Sequence, residues 1–149
     1  MRASVKSSAN PVVITAIEQL NRAVQAGGVD PLVLDLVRLR ASQINGCGPC
    51  VVAGVESARK KGETDERLRD VDAWRESPFF TEAERAALAL TEAATRIQDG
   101  APGVTDEIWA DAAAHFDEKQ LSAIVLGVAL TNFFNRINRT IPEQPGKTW

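Results

Sequence analysis

Helix start and stop signals return along this chain with no strand pattern between them, and this limits the folds open to it more than any other feature. Val13, Ile17, Leu20 and Val24 recur at three- and four-residue spacing and stop at Gly27-Gly28, which reads as an amphipathic helix ended by glycine. Asp30-Pro31 follows as an N-cap with proline in the first turn, where the missing N–H is no loss. The helix it opens carries Leu32, Leu36 and Leu39 on one stripe and is expected to end near Asn45-Gly46. A third helix is expected to begin at or just before Cys47 and to finish at Gly62. Thr64 caps a short helix bearing Leu68, Val71 and Trp74, closed by Ser77-Pro78. Thr81-Glu82-Ala83-Glu84 is a capping box and opens an alanine-rich helix to about Gln98. After the break at residues 99–103, Thr105 caps a helix with Ile108, Trp109, Ala112 and Phe116. Asp117 and Gln120 form a box-like pair before a long final helix to about Arg139. Alternating β-branched runs joined by hairpin turns are missing. The expected fold is all-α, with about six to seven helices.

The first half of the final helix is apolar nearly all round (Leu121, Ile124, Val125, Leu126, Val128, Leu130). That pattern predicts a central helix or one at a subunit interface. A chain of 149 residues fits one domain, 1–149, with a core of useful size; residues 1–9 are expected to be flexible. A formal charge of −3 offers no basic surface for nucleic acid or an anionic membrane. The opening "MRASVKSSAN" lacks the apolar run of a secretory signal. The longest apolar stretch, Leu121 to Phe134, falls short of the ~20 residues that span a bilayer. A cytoplasmic location is therefore expected, and in a reducing compartment a close cysteine pair points to catalysis or metal binding rather than to structure.

The only two cysteines stand in Cys47-Gly48-Pro49-Cys50. This is the tetrapeptide of thioredoxins, but there it follows a buried strand, and "DLVRLRASQIN" before Cys47 has helical periodicity with Arg38 and Arg40. Cysteines at i and i+3 of a helix start share a face and are close enough to bridge. Unpaired backbone N–H groups and the helix dipole stabilise a thiolate there. One cysteine can then attack a peroxide or disulfide, and the other can resolve the product. A structural disulfide across two residues constrains little chain. A zinc site would need ligands beyond His115 and distant carboxylates. Two inert buried thiols are the remaining bland alternative, and redox chemistry is preferred over all three.

A reactive thiolate needs a proton acceptor and later a donor. Asp35, on the helix leading into the cysteine turn, is placed either to serve the dithiol or to be a solvated surface residue; helical phase alone leaves both open. Trp74, Phe79, Phe80 and Trp109 are expected as core or interface aromatics. Asn132, Asn135 and Arg136 are expected as buried polar or interface groups, and Arg59-Lys60-Lys61 as a solvated helix end.

The segment from Asp35 to Ala93, with His115 to Asn138, resembles the AhpD-like (alkylhydroperoxidase) branch of the carboxymuconolactone decarboxylase superfamily. The family's redox motif is Glu-x11-Cys-x2-Cys-x3-His. Carried over residue by residue, Cys47 and Cys50 match both cysteines, Asp35 stands at the glutamate with one methylene fewer, and Gly54 stands at the histidine. The relay histidine is therefore absent, and general acid–base assistance is worth about 10²–10⁴-fold. The family pattern makes Cys50 the attacking thiol, whereas the helix dipole favours Cys47. His115, the only histidine, is read as a helix-end or core residue. The resemblance implies catalytic roles for Cys47, Cys50 and Asp35, reduction of a small hydroperoxide or disulfide exchange, and regeneration by a dithiol reductant. It further implies a homo-oligomer, trimer or hexamer, with no metal or organic cofactor. The alternatives are a decarboxylase or lyase on the same scaffold, branches of which typically lack the CxxC, and a non-enzymatic redox-sensing oligomer.

Overall fold

The computed structural model describes Lys6, residues 10–100 and residues 103–141. The expectation of a flexible segment 1–9 lies, apart from Lys6, outside the described residues. Those residues form seven α-helices and no strand: α1 Pro11–Gln25, α2 Pro31–Ile44, α3 Gly48–Lys60, α4 Asp65–Asp70, α5 Glu82–Thr95, α6 Asp106–His115 and α7 Glu118–Thr140, with a 3-10 turn Val71–Ala73 after α4. The caps act as their chemistry predicts. Asp30 accepts from the Leu32 N–H, and the capping boxes of Thr81 with Glu84 and of Asp117 with Gln120 close in both directions, satisfying N–H groups that otherwise have no helical partner.

Two expected boundaries shift. The alanine-rich helix stops at Thr95, with Arg96 as its C-cap, rather than near Gln98. Ile97 is 71% exposed, so continuing the helix through it would bury nothing. The short helix after Thr64 divides into α4 and the 3-10 turn, which brings Trp74 into the core at 5% exposure.

α2 is the hub of the fold and packs on α3, α5 and α7. Its residues 33–37 and 39–42 are all buried, so apolar groups on opposite sides enter different clusters. Val33, Leu34 and Val37 join Val24, Leu90, Ile124 and Val128 in one. Leu36 and Leu39 join Ala58, Leu68, Val71, Trp74, Phe80 and Leu88 in the other. Removing a fully buried leucine of this kind costs about 2–5 kcal/mol. The final helix is buried along Leu121, Ile124, Val128 and Leu130 but leaves Val125 and Phe133 exposed. Of the four expected core or interface aromatics, Trp74 and Phe80 are buried, whereas Phe79 and Trp109 are exposed.

Buried ion pairs tie the second cluster together. Arg40 on α2 donates to Glu92 on α5 at 2.8 Å, with both side chains nearly enclosed. Burial pushes the Glu92 carboxyl up, but hydrogen bonds from Arg75 and Arg40 outweigh it and hold Glu92 below the usual carboxylate range. Arg67 similarly bridges Glu63, at 2.8 Å, and Glu84. Burial raises Glu84, and Arg67 with the Thr81 N–H brings it below its ordinary value. No described helix is long and apolar enough to cross a membrane.

Candidate active site

The turn between α2 and α3 positions the cysteines. α2 ends in a Schellman motif: Gly46 N–H donates to the Gln43 carbonyl and Cys47 N–H to the Ser42 carbonyl, both at 3.1 Å. Gly46 has φ +65°, a conformation that glycine alone adopts without a Cβ penalty. The chain reverses there and makes Cys47 the N-cap of α3, with Pro49 in the first turn and Cys50 one residue later. Polar side chains of α7 fix this turn. Asn45 Nδ2 donates to Oδ1 of Asn132 at 2.8 Å and of Asn135 at 2.9 Å, and Asn135 Nδ2 donates to Ser42 Oγ at 3.1 Å. Arg139 donates to the Gly46 carbonyl. Asn132 and Asn135 are thus packing groups, as expected; Asn135 is fully enclosed.

Cys47 and Cys50 are joined as a disulfide. Their surroundings differ. Both are buried, Cys47 at 1% and Cys50 at 6% exposure, but only Cys50 lines a cavity of about 570 Å³ between α1, α2, α3 and α7, within the range of small-molecule sites. Asn138 Nδ2, on α7, donates to Cys50 Sγ at 3.3 Å. The walls are apolar at Ile17, Val24, Leu34, Leu130 and Phe134, and the cavity also takes in Asp35, Arg38, Ser57 and Lys61.

Asp35 is buried at 5% exposure, so the solvated-surface alternative does not hold. It reaches the same cavity as Cys50 but its bonds are made farther along α3: Lys61 Nζ donates to Oδ2 at 2.8 Å and Ser57 Oγ to Oδ1 at 3.3 Å. Ser57 lies seven residues beyond Cys50, about 10 Å along the helix axis. Gly54, the position of the family histidine, lies between them and is buried against Leu39. Arg59, Lys60 and Lys61 are all exposed, as expected of a solvated helix end, and Lys61 in addition pairs with the buried Asp35 carboxylate from the cavity lining. His115 is exposed at the end of α6, outside the cavity lining.

Sequence reasoning missed Asn138, Ser57 and Lys61 as members of this site. The signal for the last two was available, since Cys50, Gly54, Ser57 and Lys61 follow the i, i+4, i+7, i+11 stripe of one helical face. Asn138 continues the three-residue spacing of Asn132 and Asn135. Among the described residues no cluster of three or more His, Cys, Asp or Glu side chains is arranged to hold a metal ion.

The family model for the carboxymuconolactone decarboxylase family matches residues 11–93, the span that carries α1 to α4, most of α5 and both cysteines. The chain belongs to that family. The uncharacterized protein YdfG of Bacillus subtilis is 34% identical over 119 residues, 80% of either chain. ATU0492 of Agrobacterium tumefaciens, a protein of unknown function suggested to be the antioxidant defence protein AhpD, superposes with a TM-score of 0.88 at 32% identity, covering 97% of this chain and 98% of that one. These likenesses put the chain in the AhpD-like branch of the family. The debrominase Bmp8 shares the fold, with a TM-score of 0.81 at 22% identity over 93% of this chain and 73% of its own.

Proposed function

We propose that this protein is a thiol-dependent oxidoreductase that reduces an organic hydroperoxide at Cys50. The carrying observation is that Cys50 lines the cavity and its Sγ accepts a hydrogen bond from Asn138, while its partner Cys47 is buried and outside the lining. The Cys50 thiol first gives its proton to solvent water; the thiolate attacks the terminal peroxide oxygen, the O–O bond breaks, and the departing alkoxide takes a proton back from water. An alcohol leaves, and Cys50 becomes a sulfenic acid. Cys47 then attacks the Cys50 sulfur, water departs, and the disulfide forms. An external dithiol, protein-borne or small, returns the pair to thiols by exchange. Asp35 belongs to the same reading as a carboxylate of the shared cavity, two helical turns from Cys50 and held there by Ser57 and Lys61.

A homo-oligomer, trimer or hexamer, belongs to the same reading, with the exposed Val125 and Phe133 of α7 as subunit contacts; so does a cytoplasmic setting. The test is to reduce the protein, add hydroperoxide, and follow free thiols and alcohol. Cys50→Ser should lose consumption, and Cys47→Ser should consume one equivalent and stop at the sulfenic acid. If both variants consume peroxide like the parent, the proposal is wrong.

A further inference from the structure

The cavity that holds Cys50 contains a cation that the fold leaves unmatched. Arg38 lines it from α2, partly buried, and makes no hydrogen bond or ion pair with another described residue. Its nearest acid along the helix is Asp35, one turn earlier, where a carboxylate–arginine pair would ordinarily form. Both oxygens of Asp35 are engaged, Oδ2 by Lys61 and Oδ1 by Ser57. The other acid bordering the cavity is Glu18 of α1, exposed at the rim and not paired with Arg38. Arg40, two residues on, faces α5 and is matched by Glu92. Of the two arginines on α2, one is therefore consumed by the core and the other is presented to the cavity. Along α2, Arg38 stands between Asp35 and Ser42, and Ser42 is bonded to Asn135, one turn before the Asn138 that touches Cys50.

We propose that Arg38 anchors the carboxylate of an amphipathic substrate whose apolar body lies along Leu34 and Leu130 and whose reacting group meets Cys50. This deepens the oxidoreductase reading and rests on it for the reaction: the favoured substrate class is an organic hydroperoxide bearing an acidic group. A guanidinium suits the role because its planar donors match a carboxylate bidentately and it stays charged at any working pH. Neutral hydroperoxides leave that cation without a partner inside a half-closed cavity, so the site selects against them.

The first arm needs no turnover. Octanoate and octanol are titrated separately into the oxidised protein and followed by NMR. The parent should bind octanoate roughly 10-fold or more tightly than octanol, as expected for one charge-assisted pair. Arg38→Gln should abolish that preference, and Arg38→Lys should keep part of it. Equal binding of the two probes by the parent, or a preference that survives Arg38→Gln, overturns the anchor. The second arm compares a carboxylate-bearing fatty hydroperoxide with its methyl ester on reduced protein, reading the ratio of the two rates in parent and Arg38→Gln. A fall of that ratio toward one in the variant supports the proposal, and an unchanged ratio overturns it. An Arg38-dependent octanoate preference in a protein that consumes neither hydroperoxide keeps the anchor and rejects the oxidoreductase reading.

Discussion

Asn138 of α7 donates its side-chain amide to the Sγ of Cys50 at 3.3 Å, across 88 positions of sequence. In the proposed reaction the same donor would face the Cys50 thiolate, and a hydrogen bond to a charged group contributes about 1.5–3 kcal/mol. Asn138→Ala is therefore expected to slow alkylation of the reduced protein at neutral pH by about 10-fold, with Cys47 replaced by serine so that one thiol is read. Iodoacetamide kinetics followed by mass spectrometry measure it. An unchanged rate would mean that the contact does not act on the thiolate.

Gly54 separates two effects in one position. A Cβ built there meets Leu39 at 3.8–3.9 Å, ordinary contact. Gly54→Ala should thus stabilise the protein by about 0.5–1 kcal/mol, the usual cost of glycine inside a helix, read from urea unfolding. Gly54→His restores an imidazole at the position of the family histidine and should raise hydroperoxide turnover, by as much as ~10²-fold if proton transfer limits the parent. A flat response in turnover would show that the pocket has diverged by more than this residue.

Gly27 is needed for space. A Cβ at this position would lie 2.2 Å from the Cβ of Ala123, where the end of α1 crosses α7. Gly27→Ala is expected to cost about 1–3 kcal/mol by overpacking, and Gly27→Ala with Ala123→Gly should recover most of it. A double-mutant cycle on thermal or urea unfolding gives the coupling directly.

Acid should destabilise this fold through its buried carboxylates. Glu84 and Glu92 are held below their ordinary values in the folded chain. Their contribution is complete above the unfolded carboxylate range, about 4.3, and is lost as pH falls through their lower folded values. Glu92→Gln should cost about 3 kcal/mol at pH 7, because it strips the charge from the enclosed partner of Arg40. Its urea midpoint should also fall less steeply than the parent's between pH 5 and 3. A slope equal to the parent's would remove Glu92 from the acid response.

The helical order was legible because each boundary is written in local chemistry. Asp30-Pro31, Thr81 with Glu84, Thr105, and Asp117 with Gln120 all cap helices where they stand, through bonds spanning only two or three residues. Gly46 and the cysteine spacing likewise announce a helix start. The break after Thr95 was misjudged by a few residues, since it depends on what Ile97 can bury, and that is a tertiary quantity.

The sequence by itself determined an all-helical chain, the cysteine pair at the head of α3, and a carboxylate on the helix before it. Only the tertiary structure decided what those groups face. The packing of α7 on α2 brings Asn138 to Cys50, Lys61 takes both the charge and the attention of Asp35 from Arg38, and α1 closes a cavity over all of them. Caps and periods act through neighbours a turn away, so they survive in a string of letters. Which donor meets which sulfur or carboxylate depends on contacts between residues tens of positions apart, and those exist only once burial of the two cores has fixed the helices against one another.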